Sequence, residues 1–444
     1  MASGRAEFLS QYPLRRFPAG YSLALPRQAA RARALQKDLL DYTLFLPWIW
    51  LIGGLGISLR IGGAALVFAI LFLFIAYAVL RRSSPPKLLT AFVIASVIAA
   101  VLSHYRLFPS SWQVHFRDAA IARQLAPVIC FYVVAWASKA YFERRLPFGD
   151  AFAGGGPIIF LSLVVAPIIM FQQGFRYEEE SMVKSVFTMY GSFTNNIILA
   201  MFFITAYIFA GSGSRQKFGI LIVLIMAAAT SLVQFWVITL GLIALMLGMP
   251  ARLTALGLTL GLIVLYIIGL FFLPQLLLAA PNSGIRLVFI VDTYKSFIDT
   301  MGLGIGYGTE SVRWVYYFPD RPVFTFLPNP ASMTPGQMLE ALSTGVHNSF
   351  FQALLRTGLV GFLLLAAAFC AVFPPRNVPR KLRNHAAALF GIMFVSSFVN
   401  PALESPIQGM GAGFLYGYLV ALRSFANSRA MKSPEPASLR AQTT

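Results

Sequence analysis

Long apolar runs separated by short polar turns dominate this sequence. The clearest runs are Ile61 to Leu80, Leu88 to Ser103 and Thr254 to Pro274. Each is close to the roughly 20 apolar residues that an α-helix needs to cross a hydrocarbon core about 30 Å thick. The pattern therefore predicts an all-α polytopic membrane bundle of about twelve spans. We place the spans at 43–59, 61–80, 88–103, 125–142, 148–170, 194–212, 218–232, 233–249, 254–274, 351–373, 386–401 and 406–423.

Polar segments divide the chain into three parts. Residues 1–42 predict a basic N-terminal arm, residues 43–424 a transmembrane domain, and residues 425–444 a disordered tail. Two long connections interrupt the transmembrane domain, one at 171–193 and one at 275–350, between the ninth and tenth spans. Ordered loops longer than ~12–15 residues are usually functional, so we expect the larger connection to be structured and to take part in the chemistry.

Composition supports the membrane interpretation and explains the strong positive charge without nucleic acid. Hydrophobic residues make up 58% of the chain and charged residues 11%, against roughly 25% charged residues in soluble domains. The formal charge is +19, and Lys and Arg collect in the segments that this topology places inside, such as 376–383. Positive loops resist translocation. We therefore expect both termini in the cytoplasm and the basic arm against membrane lipids.

Other residue types limit the chemistry further. Cys130 and Cys370 lie inside apolar runs, which predicts packing residues and no disulfide. No metal-ligand spacing occurs, and we predict no metal or other cofactor. Nearly every Asp and Glu falls in a loop or at a span edge, whereas ion-coupled transporters keep an ionisable residue at mid-membrane. A flippase or exporter of lipid-linked oligosaccharides is therefore kept only as the alternative from another functional class.

Five arginines run against the positive-inside trend because the topology places them in external loops or at their edges. They are Arg176, Arg286, Arg313, Arg321 and Arg356. Such arginines either pair with loop carboxylates, of which Glu178 to Glu180 are the nearest run, or bind an anion. Guanidinium groups bind phosphate oxygens in a bidentate fork. At this depth the expected anion is a lipid-linked pyrophosphate.

One segment resembles a known family. His347-Asn348-Ser349-Phe350 opens the span after the large loop, and Gly358 and Gly361 follow. This segment resembles the signature of the O-antigen ligase and O-antigen (exopolysaccharide) polymerase superfamily, in which His-Asn precedes a Leu-rich turn and two glycines three residues apart. Two further stretches are similar to that family: the segment from Gly191 to Asn196, which enters a span, and Arg286 ahead of Gly302-Leu303-Gly304.

The resemblance implies glycan transfer on the external face of a bacterial inner membrane. A saccharide on an undecaprenyl-pyrophosphate carrier would pass to an acceptor hydroxyl without a nucleotide sugar. A polymerase of exopolysaccharide or O-antigen is the first interpretation, and a ligase that transfers to lipid A-core is the alternative. Implied partners are the carrier-linked glycan and a chain-length regulator or other export components.

The residues of the motif suggest separate roles. His347 can act as the general base, since an imidazole with its ordinary pKa near 6.5 is largely neutral at pH 7. Arg286, assisted by Arg313 or Arg356 and with Arg176 as a further candidate, would stabilise the departing pyrophosphate. Asn348 is predicted to cap the following helix. Gly358 and Gly361 are predicted to allow close helix packing.

Overall fold

The computed structural model describes most of the bundle. It covers residues 63–108, 118–146, 233–279, 281–309, 330–335, 345–399 and 406–432, with short pieces at 204–205, 208–209, 217–221 and 223–224. Outside these residues lie the basic arm, the predicted spans 43–59 and 148–170, most of 194–212 and 218–232, and the loop 171–193. The predicted site residues Arg176, Asn196 and Arg313 also lie outside them.

Every regular element within the described residues is helical. In chain order the helices are α1 (Gly63–Leu80), α2 (Lys87–His104), α3 (Asp118–Arg145), α4 (Val233–Met246), α5 (Ala251–Phe271), α6 (Leu273–Ala279), α7 (Pro281–Asp299), α8 (Ser349–Ala371), α9 (Arg380–Val399) and α10 (Pro406–Lys432), with a short 3₁₀ turn at Pro330–Ser332.

Five segments of the described chain are long and apolar enough to cross a membrane: Lys87–His104, Ala120–Arg145, Ala251–Phe271, Ser349–Ala371 and Arg380–Val399. The all-helical, membrane-type architecture is therefore confirmed for this part of the chain, while the total of about twelve spans stays a prediction.

Two predicted boundaries need correction. The loop placed at 275–350 contains α6 and α7, so its first third is helical, and Asp292, which we assigned to a loop, is buried within α7. Helix α7 buries one face only, so polar residues interrupt its apolar sequence. A search for long apolar runs therefore missed it. The predicted disordered tail begins too early, because α10 continues to Lys432.

Burial separates a central helix from a peripheral one. Every residue of α9 from Asn384 to Phe398 is buried. In contrast, α5 exposes most of its apolar side chains, among them Leu256, Leu260 and Val264. An apolar surface of this extent is unusual on a protein surrounded by water. Lipid tails would cover it at no cost.

Small residues bring α3 and α10 into backbone contact. A Cβ atom added to Gly417 would meet the Ala135 carbonyl oxygen and would lie 2.8 Å from the Lys139 nitrogen; one added to Gly413 would meet the Phe131 carbonyl oxygen. Glycines four residues apart allow this approach, as in many membrane helix pairs. Of the two cysteines predicted to pack, Cys130 of α3 is buried, but Cys370 is exposed because α8 buries its other face.

The helix termini meet in two groups. At one end His104 Nδ1 of α2 lies 2.9 Å from Asp118 Oδ1 of α3, and Arg286 of α7 donates to the last carbonyl of α9. At the other end Lys139 of α3 donates to the Ser84 carbonyl at 2.8 Å, and the Arg252 guanidinium lies 5.1 Å from the Phe373 ring. These pairings match the alternating direction of our predicted spans, whose orientation in a membrane stays a prediction.

Candidate functional site

The site begins at the first turn of α8. Asn348 has extended backbone angles, φ −151° and ψ 115°, and its side chain accepts hydrogen bonds from the amides of Phe350 and Phe351 at 3.0 and 3.2 Å. The predicted N-cap is confirmed. His347 precedes it with φ 55°, a conformation uncommon for residues other than glycine. This turn aims the imidazole away from the axis of α8 and toward α7.

His347 lies against α7 in surroundings that keep it neutral. Its ring stacks on Phe289, with ring centroids 5.9 Å apart and an interplanar angle of 15°. Burial disfavours the imidazolium, and the charge of Arg286, one turn before Phe289, disfavours it further; together they lower the pKa of His347 to about 3. The sequence suggested an ordinary pKa. In this structure the ring is a neutral proton acceptor at pH 7.

Arg286 is half-buried and has few partners. Its Nη1 donates to the carbonyl of Val399 at 3.4 Å, the C-terminal residue of α9, where the helix dipole is negative. The Tyr266 hydroxyl donates to the preceding carbonyl, that of Phe398, at 3.5 Å. Among the described residues no carboxylate forms a salt bridge with Arg286. The guanidinium is thus held at a helix end without an anionic partner.

Arg356 occupies a different environment. We predicted it at or near the membrane surface as a pyrophosphate ligand, and in the structure only 1% of it is exposed. Its Nη1 donates to the Gly306 carbonyl at 3.0 Å and to the hydroxyl and carbonyl oxygens of Thr309 at 2.9 and 3.3 Å. Buried oxygens need a donor, and Arg356 supplies it. Arg356 therefore has a structural role here, and a contact with pyrophosphate stays a prediction.

The predicted Gly-x-Gly turn packs against a kink in α8. Gly358 has φ 65° and ψ −160°, which interrupts the helix. A Cβ atom on Gly304 would lie 2.7 Å from the Gly358 nitrogen, so both positions require glycine. Gly358 contacts this turn and not the helix that we expected, whereas the atoms nearest to a Cβ on Gly361 belong to Thr357 of the same helix, so close helix packing at Gly361 stays a prediction.

The predicted residues therefore form two groups on the α7–α8 pair. His347, Asn348 and Arg286 meet at the start of α8, while Arg356, Gly302, Gly304 and Gly358 meet two to three turns along it. Sequence reasoning missed Phe289 and Tyr266. The helical spacing of Arg286 and Phe289 was visible in the sequence, but nothing there placed Tyr266 near them. No group of three or more His, Cys, Asp or Glu suited to a metal ion occurs in the described part of the chain.

Comparison with protein-family models and with curated proteins finds no match for this chain. The family resemblance of the His347 segment therefore depends on the motif residues alone.

Proposed function

We propose that this chain is a membrane glycosyltransferase that moves a saccharide from a polyprenyl-pyrophosphate carrier to an acceptor hydroxyl. The observation that carries the proposal is a neutral His347 beside an Arg286 that has no carboxylate partner among the described residues. The resemblance of the His347–Gly361 segment to O-antigen polymerases and ligases supports this class of reaction.

Arg286 supports an anionic ligand on physical grounds. A partly buried charge is costly unless it is paired, and within the described part of the chain Arg286 makes one hydrogen bond, to Val399. Its remaining N–H groups suit the bidentate binding of a phosphate. If the bound anion is the pyrophosphate of the donor, the positive charge of Arg286 would stabilise it as it departs.

His347 supports proton transfer in the same place. The acceptor oxygen attacks the anomeric carbon, its proton passes to the imidazole, and the bond from that carbon to the pyrophosphate oxygen breaks, with inversion. A positioned base contributes about 10²–10⁴-fold. A bound pyrophosphate would offset the charge of Arg286 and raise the pKa of His347 from its low value, making it a stronger base during reaction.

The end of the bundle at which these residues meet is the one that our topology assigns to the external face. Transfer to another carrier-linked repeat would make the protein a surface-polysaccharide polymerase, which we take as the first assignment. Transfer to lipid A-core would make it a ligase. The expected partners are the carrier-linked glycan, membrane lipids and a chain-length regulator or other export components.

The test is complementation of a gene deletion with single variants. His347→Ala and Arg286→Ala should each abolish the wild-type surface glycan while the protein stays at wild-type levels in the membrane. His104→Ala is the matched control, because His104 lies at the same end of the bundle but is exposed and pairs with Asp118. It should complement fully.

The glycans that accumulate distinguish the candidates. Single repeats attached to the core indicate a polymerase, and lipid-linked long chains without attachment indicate a ligase. Full complementation by His347→Ala would remove the transferase and favour the flippase or exporter. Unchanged glycans in the deletion strain itself would rule out every one of these roles.

A further inference from the structure

The segment Gly302–Thr309, here called the clamp, follows α7 and packs against the middle of α8, and its amides donate to groups of the protein. Gly302 N donates to the Phe297 carbonyl at 2.8 Å, Leu303 N to the Thr300 carbonyl at 3.1 Å and Gly304 N to the Thr300 hydroxyl at 3.1 Å. A phosphate-binding glycine loop presents its amides to the ligand instead. The clamp is therefore a structural connection and not an anion cradle.

Backbone hydrogen bonds fasten the clamp to the kink of α8. Leu359 N donates to the Gly302 carbonyl at 2.9 Å, and Ile305 N donates to the Leu355 carbonyl at 2.7 Å. Arg356 adds its bond to the Gly306 carbonyl. Carbonyl and amide groups freed by the kink at Gly358 are thus paired with the clamp, so the kink and the clamp form together.

Two further helices hold the far half of the clamp. Ser103 Oγ of α2 accepts from Tyr307 N at 2.7 Å. The side-chain amide of Gln124 in α3 makes two bonds: its Oε1 accepts from Gly308 N at 2.8 Å, and its Nε2 donates to the Thr309 carbonyl at 3.0 Å. Gln124 thus connects α3, which packs against α10, to the pair α7–α8.

This arrangement connects Gln124 to the candidate site. Helix α7 carries Arg286 and is followed by the clamp, and α8 begins two residues after His347 and is held by the clamp at its kink. The pair α7–α8 is therefore joined at two places, the ring contact of Phe289 with His347 and the clamp. We infer that Gln124 is a positioning residue, which acts through the clamp to set His347 relative to Arg286. Its consequence for catalysis rests on the proposed function.

Gln124 is the informative position because it is half-buried and none of its atoms belongs to the site itself. In the Gln124→Ala variant, Gly308 N loses its acceptor and the Thr309 carbonyl loses one donor. In Gln124→Glu the size of the side chain is kept, but the ionised carboxylate cannot donate to that carbonyl. Only a protonated carboxyl group could donate a hydrogen bond to the Thr309 carbonyl.

The experiment measures the reaction of diethyl pyrocarbonate with His347 in the purified full-length protein, located by mass spectrometry, from pH 5 to 8. This reagent modifies neutral imidazole and needs no substrate. The matched control is Tyr132→Phe, which removes the hydrogen bond from Thr90 Oγ1 to the Tyr132 hydroxyl (3.3 Å) between the same helices, α2 and α3, away from the clamp. Thermal unfolding is recorded for each variant.

We expect wild type and Tyr132→Phe to share one pH profile. In Gln124→Ala we expect water to reach the imidazole of His347 and its pKa to return to about 6. The rate of His347 modification at pH 5.5 should then be about four-fold lower than at pH 7.5. In Gln124→Glu the carboxylate is ionised across this pH range, so modification at pH 5.5 should fall in the same direction as in Gln124→Ala. The inference is overturned if the pH profiles of the Gln124 variants coincide with that of Tyr132→Phe. This holds whether the shared profile equals the wild-type profile or is shifted from it.

A second measurement connects positioning to turnover. With a purified lipid-linked donor, Gln124→Ala should lower kcat about 10–100-fold and leave KM unchanged, as a misplaced catalytic group does. If His347→Ala retains full activity, the proposed function fails. The labelling result stands independently, because it reports only the geometry around His347.

Discussion

At the scale of single residues, His347 shows how neighbours set the protonation state of a group. Its ring lies on Phe289, and the charge of Arg286 acts on it. Both the loss of water and the positive charge disfavour the imidazolium, so the pKa is lowered to about 3. The same histidine in a solvated turn would be partly protonated near pH 6.5.

This shift predicts a pH-dependent stability. Because the folded pKa of His347 lies below the unfolded value, the unfolded chain binds more protons between pH 6.5 and about 3. The contribution to stability is complete above pH 6.5 and is lost as the pH falls. We expect the thermal unfolding midpoint, followed by tryptophan fluorescence in detergent, to drop from pH 7 to pH 5 less in His347→Gln than in wild type. An equal fall of the unfolding midpoint in the two proteins would contradict the lowered pKa of His347.

The two arginines of the α7–α8 pair show what the sequence could not distinguish at this scale. Arg286 is half-buried and donates to the Val399 carbonyl, whereas Arg356 is fully buried and bonded to Gly306 and Thr309. Both are guanidinium groups in or beside the predicted external loop. Only the positions of the carbonyl groups around them decide that Arg356 holds the fold, whereas anion binding by Arg286 stays a proposal.

At the scale of elements, the kink in α8 is the feature that organises the site. Residues up to Thr357 continue the helix that Asn348 caps, and Gly358 then turns the chain with a positive φ. The amide of Leu359 consequently bonds to the clamp instead of to its own helix. A run of apolar residues with two glycines predicts a span but does not distinguish a straight helix from a kinked one.

A glycine substitution tests the kink. In Gly358→Ala the new Cβ atom would meet the Gly302 carbonyl and lie 2.5 Å from the Leu303 carbonyl carbon, at a φ that alanine adopts with strain. We expect the variant to lose at least about 2 kcal/mol of stability, measured by thermal or denaturant unfolding in detergent.

Gly257→Ala in α5 is the control for that substitution. A Cβ atom there has no neighbour within 4 Å, so the change should be neutral or should stabilise the helix by about 0.5–1 kcal/mol. If both alanine variants unfold at the same midpoint, the kink does not depend on the conformation of Gly358.

At the scale of the whole molecule, the described helix ends form two sets that alternate along the chain. The contacts of His104 with Asp118 and of Arg286 with Val399 define one end, and those of Lys139 with Ser84 and of Arg252 with Phe373 define the other. The distribution of Lys and Arg predicts which end faces the cytoplasm, because positive loops resist translocation.

Cysteine labelling tests that orientation. In a background without Cys130 and Cys370, Tyr105→Cys should react with a membrane-impermeant maleimide in intact spheroplasts. Asn377→Cys should react only after lysis, since both side chains are exposed but at opposite ends of the bundle. The reverse pattern would place His347 in the cytoplasm and contradict glycan transfer on the external face.

The sequence alone determined the helical architecture, the approximate bounds of five candidate spans and the cap at Asn348, because apolar length and capping chemistry are local properties. It also singled out His347 and Arg286. Only the tertiary structure decided that Arg356 is buried, that Gly358 kinks α8, and that Phe289, Tyr266 and Gln124 lie near the motif. These features depend on pairing between groups far apart in the chain, and an unpaired buried carbonyl or amide can be satisfied only by whatever the fold brings beside it.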